Sequence, residues 1–307
     1  MIQSNLWPSG RTVLTACHKH SGRDQIEAMN DLELGAFAHV DQTNADNFID
    51  RLDRMHRVAD VRSYKAQSFE ALRLFPGAKV ADIGCGAGDD AALMATLIGN
   101  DGMVTGVDLS AAMIEEATQR LADIPTLAFV RASIEQLPFA DSSLDAIRAD
   151  RLLIHVSDPT AAIAEMLRVL KPGGRIALCE PDILGSWISS DDPEVGDAVC
   201  RAVALSCAQP YLARNLGIRF ASMSLTEADH KAHAMVTYDF ATIDKVFQFE
   251  LVAGMLAKSG KLDPARAQAW LEDQLARQAA DRFCACMTMV SVSATKPAAN
   301  EKPFMLA

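Results

Sequence analysis

Val80-Ala81-Asp82-Ile83-Gly84-Cys85-Gly86-Ala87-Gly88 decides how this chain is read. A short apolar run ends in glycine at three alternate positions. The run reads as a buried strand, and a turn stripped of side chains lets backbone approach a ligand closely. Twenty residues past Gly88, Val104-Thr105-Gly106-Val107-Asp108 reads as a second apolar strand ending in an acid. A carboxylate there can accept hydrogen bonds from both hydroxyls of a ribose. Glycine turn and acid together point to an adenosine-containing ligand. The dinucleotide fingerprint spaces its glycines G-x-G-x-x-G and sets a pyrophosphate at the next helix N-terminus. Here the spacing is G-x-G-x-G, and Asp89 and Asp90 open the following helix. Acids there suit the helix dipole and repel a pyrophosphate. A cationic ligand without phosphates fits better.

Working outward, strand and helix alternate. Lys79–Ile83 reads as a strand and Asp89–Ile98 as a helix with Ala92, Leu93, Ala95, Thr96 and Leu97 apolar. Met103–Asp108 is the next strand. Ser110 caps a helix whose Met113, Ile114, Ala117 and Leu121 recur at helical spacing. Thr126–Val130 and Leu144–Arg148 are further strands. Asp158 caps a helix opened by Pro159, Pro172-Gly173-Gly174 ends it, and Arg175–Glu180 is a fifth strand. Such alternation implies an α/β protein with a doubly wound, mostly parallel sheet. After residue 182 the rhythm changes. Trp187–Asp192 reads as a polar loop. Glu194–Ala208, Leu212–Ala228, Ile243–Leu256 and Pro264–Ala280 read as helices, and Ala232–Phe240 and Arg282–Ala294 as strands. The two late strands would close the sheet in antiparallel fashion, and the helices would cap the strand ends. Leu52–Phe75 reads as helical. The expected division is a helical arm or lid at 1–58, a ligand-binding core at 59–182, a cap with the last strands at 183–297, and a tail at 298–307.

The chain has 307 residues, half of them hydrophobic, enough to bury a full core. A formal charge of −11 argues against a nucleic-acid partner, which needs a basic face. The seven cysteines are scattered and odd in number, against a disulfide framework. Cys284-Ala285-Cys286 lacks a second pair for zinc, and His230 and His233 enter a strand with no acidic ligand beside them, so no metal is expected. No basic region precedes an apolar stretch at the N-terminus, and no charge-free run reaches membrane-spanning length. A cytoplasmic protein without a membrane partner is expected, with the N-terminal arm available for self-association into a homodimer or higher oligomer.

Several motifs in order resemble the class I S-adenosylmethionine-dependent methyltransferases, specifically from about residue 58 to 182 and again at the final strand. Asp82 with Gly84–Gly88 matches their first motif, and Asp108-Leu109-Ser110 their acidic motif. Met113 stands where family members often cover the adenine. Ala132-Ser133-Ile134-Glu135-Gln136-Leu137-Pro138-Phe139 matches the adenine-contact motif G-D-A-E-x-L-P-F, with Ser133 replacing the aspartate that accepts the adenine amine. Arg168-Val169-Leu170-Lys171-Pro172-Gly173-Gly174 matches the family's R-V-L-K-P-G-G turn. The resemblance implies a Rossmann-like sheet of seven strands with an antiparallel last strand, and S-adenosylmethionine as cofactor. It implies cofactor contacts at Asp82, Gly84, Cys85, Gly86, Gly88, Asp108, Leu109, Met113, Ser133 and Ile134. Tyr64 is a candidate to close over the methionine moiety. Asp150 and Arg151 follow the fourth strand, and Arg151 pairs either with the cofactor carboxylate or with Asp150.

The acceptor side should come from the ends of strands four and five. His155 is the first candidate for general base, because histidine titrates near neutrality. Asp182 would orient His155 or bind an acceptor hydroxyl. Glu180 reads as a buried partner of the sheet end. Phe37, Trp187 and Phe240 are candidates to line an apolar acceptor pocket. The expected activity is methyl transfer to oxygen, nitrogen or carbon of a small, largely apolar metabolite. The alternative is an enzyme that keeps the same cofactor while cyclising or isomerising its substrate.

Overall fold

The computed structural model describes residue 41 and residues 45–298. Seven strands form one sheet in the order β3-β2-β1-β4-β5-β7-β6. They are β1 (Lys79–Ile83), β2 (Met103–Asp108), β3 (Leu127–Arg131), β4 (Leu144–Asp150), β5 (Leu170–Ile188), β6 (Thr226–Thr237) and β7 (Ala285–Thr295). The first five pair in parallel, and β7 runs antiparallel to both β5 and β6. This is the Rossmann-like sheet that the motifs imply.

Strand alternation builds two apolar layers, because successive side chains leave opposite faces. Ala81, Ile83, Ile147 and Leu178 enter the large core, whereas Val80, Ala146 and Ala177 enter a second one with Phe69, Leu72, Met94 and Ile98. Asp82 and Arg148 share the face of Val80 and Ala146, and the register sets them directly opposite each other.

Two helices precede the sheet, α1 (Ala45–Arg57) and α2 (Ala59–Ala71), where one was expected over 52–75. Between strands lie α3 (Asp89–Ile98), α4 (Ala111–Arg120) and α5 (Pro159–Val169). Ser110 caps α4 by accepting from the Met113 N–H at 3.2 Å, and Asp158 caps α5 by accepting from Thr160 and Ala161, both at 3.0 Å. Not all apolar residues of α3 face inward. Asp90, Ala91, Met94, Ala95 and Ile98 are buried, while Leu93 and Leu97 stand 52% and 47% exposed. An ion pair from Arg148 to Asp90 at 2.8 Å draws that face inward.

The cap comprises α6 (Pro193–Leu205), α7 (Leu212–Ser222), α8 (Phe240–Phe247), α9 (Phe249–Lys258) and α10 (Pro264–Ala279). The helix expected over 212–228 stops at Ser222, and β6 begins at Thr226 instead of Ala232. Ser224 and Glu227 adopt positive φ (56° and 48°), which a helix does not tolerate. The single helix expected over 243–256 is two, broken at Gln248 with φ 53°. Pro172-Gly173-Gly174 is a bulge within β5 and not a turn before it, since the ladder shifts between Leu144 and Ala146. β5 then runs on through the expected loop, so that Trp187 pairs with Cys286. The segment between β5 and β7 leaves and returns at one neck: Ser189 N–H donates to the Cys284 carbonyl at 2.8 Å, and Cys284 N–H to Ser189 Oγ at 3.1 Å. Among the described residues no helix is long and apolar enough to cross a membrane, and no cluster of His, Cys, Asp or Glu is placed to hold a metal ion.

Candidate active site

A cavity of about 430 Å³ opens at the carboxyl ends of β1, β2 and β4. Its position follows from the parallel order, which leaves a crevice where the connections leaving β1 and β4 turn to opposite sides. Gly84, Cys85 and Gly86 form one wall. Their backbone is held by the Val107 carbonyl, which accepts from Gly84 at 2.7 Å and Cys85 at 3.1 Å. Gly84 and Gly86 take φ of 73° and 52°, a region that favours glycine. Gly88, at φ 88°, does not line the cavity. A Cβ there would lie 2.8 Å from Leu121 and Phe129, so its glycine serves packing of α3 and not ligand contact.

Asp108 faces the cavity from the end of β2. Its carboxylate accepts from Gly86 N–H at 3.0 Å and Ser110 N–H at 2.9 Å, which fixes its orientation. Burial raises its pKa, and these two donors oppose the rise. Leu109, Met113, Ser133 and Ile134 complete this end. Helix α1 lies over it: Phe48 packs on Met113, and a Cβ on Gly86 would come within 2.9 Å of Leu52. Asp41 binds the same end of the fold, accepting from Ser110 Oγ and from Ala111 N–H at 2.9 Å. Glycine backbone open to a ligand, an oriented acid and a covering methionine together suit the adenosine half of S-adenosylmethionine.

Beneath the glycine turn sits a buried ion cluster. Arg148, fully buried, reaches Asp90 at 2.8 Å, Asp150 at 3.3 Å and Asp82 at 3.5 Å, and stacks over Phe69 at 4.9 Å. Lys65 from α2 binds Asp90 at 2.7 Å and Asp150 at 3.5 Å, and meets His56 Nε2 at 2.7 Å. Arg151 closes on Asp150 at 3.5 Å, which is the second of its two expected pairings. Burial pushes Asp82 up to about 7, against the pull of Arg148. Burial acts in the same sense on Asp90, yet Arg148 and Lys65 hold it well below the usual carboxylate range. Asp90 therefore anchors cations of the protein itself. Lys65, Asp90 and Arg148 were not among the expected site residues. The one signal was an arginine inside the otherwise apolar strand Ala146-Ile147-Arg148-Ala149.

Tyr64 lies behind this cluster and does not reach the cavity. It is fully buried, and its hydroxyl donates to Asp150 at 3.1 Å. Its expected place over the methionine moiety is thus corrected to a support for Asp150.

The opposite end of the cavity is apolar. Ile183 of β5, Val203 of α6, Val246 and Phe247 of α8 and Met287 of β7 line it, with Cys207. His155 stands there at the end of a 3-10 turn, Leu153–His155. Burial, with the Arg151 cation, lowers His155 to about 4, so the imidazole is neutral at physiological pH and far from the near-neutral titration expected of it. Asp182 does not line the cavity; Arg214 binds its carboxylate at 2.8 and 3.0 Å. Trp187 is 46% exposed and lines a smaller adjoining cavity. Phe240 is buried edge-on against Phe283 at 5.4 Å between centroids. These three are corrected: Arg214 holds Asp182, pairing with β7 turns Trp187 away, and Phe240, two turns before Phe247 on the same helix, packs on Phe283 short of the cavity. Phe37 lies outside the described residues.

A methyltransferase-domain family matches residues 81–178, from β1 into β5. The chain is 31% identical to an uncharacterised 37.1 kDa protein of transposon Tn4556 from Streptomyces fradiae, over 91% of this chain and 80% of that one. It is 35% identical to the ubiquinone/menaquinone biosynthesis C-methyltransferase UbiE of Shewanella halifaxensis, over 54% of this chain and 66% of that one. With other quinone C-methyltransferases of Shewanella the match spans about half of their length. Among solved structures, YcgJ of Bacillus subtilis shares the fold with a TM-score of 0.55 at 20% identity, covering 77% of this chain and 99% of that one.

Proposed function

The chain belongs to the class I S-adenosylmethionine-dependent methyltransferases, and we propose that it methylates carbon of a small, largely apolar, electron-rich acceptor. When bound, S-adenosylmethionine supplies a methyl group already activated by its sulfonium. The protein's part is to place the acceptor in line with that methyl and to keep water out. Gly84, Gly86, Asp108 and Met113 are read as the cofactor side, and Ile183, Val203, Phe247 and Met287 as the acceptor side.

The observation that carries carbon over oxygen is the state of His155. A base with a pKa of about 4 is a poor acceptor for an alcohol proton, because proton transfer is favoured when the catalytic pKa lies near the working pH. It is adequate for the strongly acidic proton released after methylation, from the ring carbon of an arenium cation or from the oxygen of a methylated enol. His155 is accordingly assigned as hydrogen-bond partner of the acceptor and recipient of that late proton. The C-methyltransferase names among the curated relatives support the same reading. Helix α1, with Leu52 over the glycine turn, is read as a lid on the cofactor end. All six cysteines among the described residues are free thiols, in keeping with a cytoplasmic site of action.

The test is product analysis with S-adenosylmethionine and a panel of apolar phenols, quinols and enols. The expected product is heavier by one methylene unit, carries the methyl on carbon by NMR, and forms with S-adenosylhomocysteine. Methyl found on oxygen would overturn the carbon assignment. Isomerised substrate without cofactor consumption would overturn methyl transfer itself.

A further inference from the structure

Glu180 is a fully buried carboxyl group on β5 that the proposed chemistry does not use. Among the described residues it has no ion-pair partner, and backbone takes its place. Oε1 accepts from Leu152 N–H at 3.1 Å and Leu153 N–H at 2.7 Å, and Oε2 accepts from Ile154 N–H at 3.2 Å. These three consecutive amides open the 3-10 turn that ends in His155. The first of them carries Leu152, which packs against the cofactor turn: a Cβ on Gly84 would lie 3.0–3.2 Å from its side chain. On its far side the turn is tied to the cap, since Gln209 N–H donates to the Ile154 carbonyl at 3.0 Å. One carboxyl group therefore holds the segment on which the two ends of the cavity meet.

A buried carboxylate without a countercharge is an unfavourable way to brace a loop. The exposed Asp158 does the comparable task for α5 a few residues later, at the surface. Burial pushes Glu180 up to about 8 against the pull of the three N–H donors, so near neutral pH it is mostly the neutral acid, whose two oxygens still accept from the three amides. Placement at the sheet end, and not local stability, accounts for a group kept there.

We propose that Glu180 is a positioning residue: by gathering the amides of Leu152, Leu153 and Ile154 it sets the height of His155 over the acceptor end and presses Leu152 onto the cofactor turn. The proposal rests on the reading of His155 as the acceptor-side group.

Glu180→Gln and Glu180→Ala distinguish this from a merely structural role. Gln keeps an oxygen for Leu152 and Leu153 but turns an amide NH2 toward the Ile154 N–H, so the His155 end of the turn is released first. In E180Q the imidazole of His155, followed by NMR, is expected to titrate at least one pH unit higher than in the unaltered protein. S-adenosylhomocysteine affinity by calorimetry is expected to stay within threefold. In E180A that affinity is expected to fall tenfold or more, because Leu152 is freed as well. Unchanged His155 titration in a folded E180Q would overturn the proposal. Should both variants fail to fold, hydrogen exchange on the unaltered protein decides. The Leu153 and Ile154 amides should exchange at least a hundredfold more slowly than the Asp158 amide, and equal rates would overturn it. Absence of methylated product from the unaltered protein would refute the function and leave these readouts untouched.

Discussion

The two ends of the cavity are built by different means. The cofactor end is backbone and charge: glycines at positive φ, Asp108 oriented by two N–H donors, and beneath them an ion cluster centred on Arg148. The proposed acceptor end is apolar side chains from β5, α6, α8 and β7, with His155 among them. Backbone geometry and buried ion pairs permit little variation, since each group must be matched by a partner. An apolar wall tolerates exchange of side chains of similar volume. The contrast separates a wall that admits few substitutions from one open to exchange.

Four changes test that contrast. Arg148→Ala should act most strongly. It leaves Asp82, Asp90 and Asp150 buried without their shared cation, and removing one partner of such a pair costs about 3–5 kcal/mol. Chemical denaturation should show the loss, and cofactor affinity should fall with it. A stable variant that binds cofactor normally would mean that the cluster is no foundation for the turn.

His155 comes next, through pH. Its folded pKa of about 4 lies below the ordinary 6.5, so between those values the unfolded chain takes up a proton that the native state refuses. Stability due to this group is complete above pH 6.5 and is lost as pH falls toward 4, by about 3 kcal/mol at roughly 1.4 kcal/mol per unit. His155→Gln should flatten that part of the stability–pH curve. An unchanged curve would show that the imidazole is well solvated and the acceptor end wetter than its side chains imply.

Asp108→Ala should weaken S-adenosylhomocysteine roughly 10- to 100-fold, the worth of hydrogen bonds to a charged group, with little effect on melting temperature. Calorimetry reads this directly, and unaltered affinity would remove Asp108 from the cofactor side. Phe247→Ala should have the smallest effect on turnover. Phe247 is a shared wall between the main cavity and the smaller one beside Trp187. Its truncation should admit acceptors longer by a methylene or two, each worth about 0.8 kcal/mol or fourfold in affinity. Equal discrimination by both proteins would place the acceptor elsewhere.

The same contrast explains what could be read from sequence. The strand ends at 83, 108 and 150 bring Gly84, Asp108 and Asp150 to one crevice, and local patterns of glycine and alternation suffice to find them. The ion cluster joins residues far apart in the chain, such as Lys65 and Arg148 on Asp90. Only the register of β1 against β4 sets Asp82 opposite Arg148, and no local periodicity encodes that. The same cluster orients α3: with Asp90 drawn inward, Leu93 and Leu97 turn out. In the cap, backbone irregularities at Ser224 and Gln248 fall at ordinary polar residues with no glycine or proline to mark them. They end α7 and α8 where the sequence pattern runs on.

The neck at Ser189 and Cys284 has a further consequence. Two hydrogen bonds there bring the ends of a 94-residue excursion together, with both flanks anchored in paired strands. The excursion also contains β6, which pairs with β7 from Thr226 to Thr237, so an exchanged segment must bring an edge strand that fits β7. The excursion carries Val203, Cys207, Val246 and Phe247 but none of the glycine turn. Recombination at residues 189/190 and 283/284 would then exchange much of the proposed acceptor wall in one event, changing selectivity while the glycine turn is kept.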